Sequence, residues 1–129
     1  MGFMDQFRQA QTEGIPDSWQ FLAEADQLTQ LLEHSYHKPQ VIFKHSTRCG
    51  ISSMAKHMLE QDWDFSQEDL DMYFLDLIAH RAISNAVADQ LGVVHQSPQL
   101  IVVYQGKAVF DTSHHAISGG RLRAALNSL

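Results

Sequence analysis

Apolar and polar positions along this chain alternate between two periods. Val41-Ile42-Phe43, between Gln40 and His45, is an unbroken apolar run of the kind found in strands covered on both faces. Met72-Tyr73-Phe74-Leu75-Asp76-Leu77 and Leu100-Ile101-Val102-Val103-Tyr104 repeat that pattern. Between these runs the spacing turns helical. The four sets are Leu28, Leu31, Leu32 and Tyr36; Ile51, Met54, Ala55, Met58 and Leu59; Ile83, Ala86, Val87 and Leu91; and Leu122, Ala125, Leu126 and Leu129. Asp26 reads as the N-cap of the first helix and Lys38-Pro39 as its stop. Gly92 closes the helix that begins near His80, and Ser118 caps the last one, whose first turn Gly119 and Gly120 weaken. Ser18-Trp19-Gln20-Phe21-Leu22 predicts a short edge strand with Trp19 and Phe21 on one side.

Gln105-Gly106-Lys107 is a tight reversal, and Ala108-Val109-Phe110-Asp111 returns along the preceding strand, so that pair is antiparallel. The earlier strands are joined through helices, which implies parallel neighbours with right-handed crossovers. The expected fold class is therefore α/β: a mixed central sheet with helices on both faces, a late antiparallel hairpin and a C-terminal helix. Residues 1–17 are polar, end in Gly14-Ile15-Pro16-Asp17, and read as an N-terminal extension with a short helix and a turn. Residues 18–129 form the expected single domain.

Composition narrows the function classes. Fifteen Asp and Glu against nine Lys and Arg give a net charge of −6, which argues against general nucleic-acid binding. No apolar run is long enough to span a bilayer, and the first residues lack the pattern of a secretory signal, so no membrane association is expected. The single cysteine cannot form an internal disulfide, which suits a reducing, cytoplasmic setting.

That cysteine is also the principal chemical candidate. Cys49 lies where an apolar strand hands over to an amphipathic helix, and the free N–H groups and positive dipole end of a helix start favour a thiolate over a neutral thiol. Lys44, His45 and Arg48 add positive charge close by in sequence, able to steer a small anionic ligand to the sulfur. Ser52 and Thr47 are candidate hydrogen-bond donors to it, although both residue types also cap helices and turns. The eight histidines show no metal-binding spacing, and one cysteine cannot build a thiolate-rich zinc site, so no metal is expected. Asp76 is expected at a strand end facing solvent rather than buried. An unpaired cysteine is also a common inert core residue, so a non-catalytic binding module is the alternative reading.

The element order, with the cysteine after the second strand and a proline opening the strand before the hairpin, resembles thioredoxin. Phe43-Lys44-His45-Ser46-Thr47-Arg48-Cys49-Gly50-Ile51-Ser52, with Ser97-Pro98-Gln99 further on, is similar to the YtxJ-like family of monothiol bacilliredoxins. The resemblance runs from about Trp19 to the C-terminus and leaves residues 1–17 outside. It implies a thioredoxin-like fold and a thiol–disulfide oxidoreductase that removes bacillithiol from S-thiolated proteins, with that low-molecular-weight thiol as co-substrate and no tightly bound cofactor. Cys49 would be the attacking thiol, and Ser52 would stand where dithiol relatives keep a resolving cysteine. Pro98 would be a cis-proline facing the site, and the backbone of Ser97 would pair with a substrate peptide. Gly50 departs from the proline that many members carry there, and glycine loosens the first helical turn. The same chemistry with another small thiol, such as glutathione, fits these residues equally well.

Overall fold

The computed structural model describes residues 15–129. The short helix expected within residues 1–17 falls almost wholly outside that range; the backbone N–H of Trp19 donates to the Pro16 carbonyl at 3.0 Å, closing the expected turn. The elements are β1 (Trp19–Phe21), α1 (Ala25–His34), β2 (Gln40–His45), α2 (Gly50–Gln61), β3 (Asp71–Asp76), α3 (Arg81–Leu91), β4 (Gln99–Tyr104), β5 (Lys107–Ser113), a 3₁₀ turn (His114–Ala116) and α4 (Gly119–Asn127).

The sheet order is β1-β3-β2-β4-β5. β3 runs parallel to both β1 and β2, whereas β4 is antiparallel to β2 and to β5. β2 lies in the centre and is buried at every position, as its uninterrupted apolar run requires. Side chains alternate along it. Val41 and Phe43 join Ala55, Leu59 and Leu122 in the layer under α2 and α4. Ile42 joins Leu28, Leu31 and Val87 in the layer under α1 and α3. This is the mixed α/β sheet expected from the pattern.

Several boundaries differ from the sequence reading. α1 is capped by Glu24, not Asp26, because the Gln27 side chain folds back over the helix start. Its Oε1 accepts from the N–H of Ala23 at 2.8 Å and of Glu24 at 2.9 Å, while its Nε2 donates to the Phe21 carbonyl at 2.8 Å. The helix also ends before Tyr36, at His34, where Ser35 is drawn into the hairpin: its hydroxyl accepts from Gly106 N–H at 2.9 Å and its carbonyl from Gln105 N–H at 2.8 Å. β3 starts and ends one residue earlier than expected, and β5 extends on both sides of the expected segment. The hairpin turn places Gln105 and Gly106 at φ 53° and 77°, the paired positive angles of a two-residue reversal. Ser118 caps α4, its hydroxyl accepting from Arg121 N–H at 3.1 Å. Gly119 is there for closeness: a Cβ on it would meet the Asp62 Cβ at 2.7 Å.

Candidate active site

Cys49 is the N-cap of α2, in extended backbone conformation (φ −114°, ψ 121°), half-buried, its side chain making no capping hydrogen bond. Two backbone bonds fix it: its N–H donates to the Ser46 carbonyl at 3.2 Å, and its carbonyl accepts from Ser53 N–H at 3.0 Å. The sulfur therefore sits at the positive end of a twelve-residue helix. Thr47 and Arg48 form the exposed turn leading into it, and Gly50 is the first helical residue, with no heavy atom within 4 Å of where a Cβ would stand.

The second loop of the site comes from β4. Its register pairs Lys44 with Gln99, so Pro98 comes level with His45 at the end of β2 from which the Cys49 loop departs. The Ser97–Pro98 peptide is cis, as the resemblance implies. The Pro98 carbonyl accepts from His114 N–H at 3.2 Å, which ties this loop to the 3₁₀ turn. The sequence pattern did not signal that turn, because its first residue, His114, adopts a positive φ of 56° that side chains other than glycine seldom take. Beside it, Ile51, Met54 and Met58 of α2 leave apolar surface exposed along a groove of about 200 Å³ bordered by His114 and His115.

The expected Ser52 donation to the sulfur is not made. Ser52 is fully buried; its hydroxyl accepts from Ser46 N–H at 3.0 Å and lies 2.7 Å from Nδ1 of His45. With both partners engaged, Ser52 holds the start of the active loop against β2. His45 is itself buried, its ring packed against Phe43 and Phe74. Burial, with the Lys56 charge second, pushes its pKa down, against smaller upward contributions from Asp76 and Ser52. His45 and Thr47 border a cavity of about 120 Å³ together with Lys56, Asp76 and His80. Asp76 is half-buried at the end of β3, its carboxylate accepting from the N–H groups of Ile78 at 3.1 Å and Ala79 at 3.2 Å.

Lys44 requires the largest correction. Expected beside the thiol as a substrate contact, it points into the opposite layer because adjacent strand residues face opposite ways. It has no solvent exposure; its Nζ donates to the Ser84 carbonyl at 3.1 Å and lies 3.2 Å from His95 Nδ1. Burial lowers its pKa from 10.5 to about 8. Burial, then Lys44 and Arg81, lowers that of His95. The sequence gives His95 no role, and Gln99 enters it only as the last residue of the Ser97-Pro98-Gln99 motif. Gln99 gave a faint signal, an amide opening an otherwise apolar strand, while nothing in the spacing connects His95 to Lys44.

The comparisons with known proteins accord with this geometry. A family model described as monothiol bacilliredoxin BrxC matches residues 20–122. The chain belongs to the monothiol bacilliredoxin family. Among solved structures, a candidate oxidoreductase with a thioredoxin fold is similar at 29% identity and a TM-score of 0.72, over 84% of this chain and 93% of that one. Thioredoxin from Malassezia sympodialis is similar in fold at 20% identity and a TM-score of 0.68, over 88% of this chain and 92% of that one. Thioredoxin from Trypanosoma brucei brucei follows at 17% identity and a TM-score of 0.65, over 84% and 87% of the two chains. The protein is thus a monothiol thiol–disulfide oxidoreductase of thioredoxin-like fold with a thiol redox role. Among the described residues, no helix is long and apolar enough to cross a membrane, and no three His, Cys, Asp or Glu residues are grouped to hold a metal.

Proposed function

We propose that this bacilliredoxin removes bacillithiol from protein mixed disulfides through Cys49. The thiolate attacks the sulfur of the small thiol; a new disulfide forms between Cys49 and that thiol as the old one breaks. The target protein's thiolate leaves and takes a proton from solvent. A second, external low-molecular-weight thiol then attacks the bacillithiol sulfur of the mixed disulfide on Cys49; the two small thiols leave joined as a disulfide and Cys49 returns as the free thiolate, because the chain has no other cysteine to do so. The observation that carries this reading is the half-buried Cys49 at the start of a long helix, with the Ser97–Pro98 loop level with the same end of β2.

In this reading Thr47, Arg48 and Gly50 meet the substrate from the exposed turn, and the Ser97 backbone and Pro98 receive the peptide of the target protein in a short strand-like pairing. His45 and Ser52 act from beneath by holding the loop. The catalytic domain is residues 18–129, residues 1–17 are an extension, and the reducing cytoplasm is the fitting compartment.

The test is incubation with a protein carrying bacillithiol on one cysteine, followed by mass spectrometry of both chains. The expected result is transfer of bacillithiol to Cys49, abolished in Cys49→Ser. A parallel arm with a glutathione mixed disulfide reports which small thiol is preferred. Absence of transfer to the intact protein in the bacillithiol arm would overturn the proposal.

A further inference from the structure

Lys44 and Gln99 are cross-strand partners on β2 and β4, and both side chains are without solvent exposure. They lie at the end of a layer made otherwise of Leu28, Leu31, Ile42, Ile101 and similar hydrocarbon. Burying an ammonium and an amide side by side is costly, and well-packed apolar residues of like size serve a core at least as well. What the two side chains hold is the more informative fact.

Gln99 Oε1 accepts from Gln96 N–H at 3.3 Å, and Gln99 Nε2 donates to the Val94 carbonyl at 3.0 Å. An ammonium only donates, so the contact of Lys44 Nζ with His95 uses Nδ1 as the acceptor. The same Nζ is anchored on the Ser84 carbonyl of α3. Val94, His95 and Gln96 are therefore gripped from below at three successive residues. They belong to the stretch between Gly92 and Gln99, which has no helix or strand of its own and is exposed at all three positions. Its end is the Ser97–Pro98 peptide.

We propose that Lys44 and Gln99, with His95, are positioning residues: a buried polar clamp that fixes the Ser97–Pro98 loop beside the Cys49 loop and so sets recognition of the protein half of a mixed disulfide. This rests on the proposed transfer reaction and adds to it which residues shape the docking edge. The clamp does not touch the sulfur. It removes the need to order the loop when an extended target chain pairs with Ser97, and ordering one residue corresponds to a factor of roughly 5–30 in affinity.

The test compares His95→Ala, in which an exposed residue loses only its acceptor, with Gln99→Leu and with the conservative His95→Asn. For each, KM and kcat are measured on a protein mixed disulfide, together with alkylation of Cys49 by iodoacetamide and amide hydrogen exchange at Gln96. The expected result is a rise in KM of about five- to tenfold with kcat within about twofold, alkylation unchanged, and faster Gln96 exchange. His95→Asn should recover most of the loss. Unchanged KM in both His95→Ala and Gln99→Leu would overturn the proposal, as would alkylation slowing in step with turnover. If the intact protein fails to turn over mixed disulfides, the transfer reaction itself is refuted. Gln96 exchange then judges the clamp alone: acceleration in the variants upholds it, and unchanged exchange removes it.

Discussion

Replacing Lys44 by methionine should stabilise this protein, an unusual expectation for a strand residue two positions from the start of the active loop. Burial holds the Lys44 pKa near 8 instead of 10.5, a difference of 2.5 that corresponds to about 3 kcal/mol against the charged form. The sign follows from proton uptake. Between those two values the unfolded chain binds more protons than the folded one, so unfolding free energy rises with pH. The penalty is fully present below pH 8 and vanishes above about 10.5. Methionine keeps an unbranched stem of similar length and removes the charge. Ser84, inside α3, keeps its carbonyl within the helical ladder, and the exposed His95 returns its nitrogen to water. After about 1 kcal/mol for imperfect repacking, the net gain at pH 7 should be about 2 kcal/mol. Urea denaturation of both proteins at pH 7 and pH 10.5 measures it. The variant's midpoint should lie about 1 M higher at pH 7, and at the upper pH, where only the repacking cost is left, it should fall slightly below that of the parent. A parent equal to or more stable than the variant at pH 7 would refute the reasoning, and so would a gap independent of pH. Because Lys44 belongs to the clamp, the more stable variant should also bind protein mixed disulfides less well.

Gly50→Pro should be tolerated and stabilising by about 0.5–1 kcal/mol, since proline suits the first helical position and Cys49 already has the extended backbone that a following proline demands. Thermal melting checks it, and a fall in Tm would contradict it. Ser52→Ala should cost about 1–3 kcal/mol, because it strips partners from buried His45 and from the Ser46 amide. Ser52→Thr, which keeps the hydroxyl, should recover part of that loss, and chemical denaturation of the two variants separates hydroxyl from volume.

Much of this architecture was legible in local pattern. The limits of β2, Gly92 as the left-handed stop of α3, and the Ser118 cap all follow from signals confined to a few residues. The position of Cys49 at a helix start belongs to the same class. What escaped depends on which face a side chain takes and which partner it finds there. Lys44 looks like one more cation near the thiol until Ser84 and His95, 40 and 51 residues on, are folded over it. The hydroxyl of Ser52 could be offered to the sulfur on spacing alone, but His45, seven residues back and buried, takes it first. The start of α1 differs for a local reason: the Gln27 side chain folds back on Phe21, Ala23 and Glu24 and displaces the better intrinsic capper Asp26.

Lys44 and His45 are consecutive in β2 and open onto opposite helical layers. Deleting one amino acid from 41–43 would barely alter composition, yet it would exchange the destinations of this pair, sending imidazole toward α3 and ammonium toward α2. A library of single deletions should therefore find the middle of β2 closed to shortening.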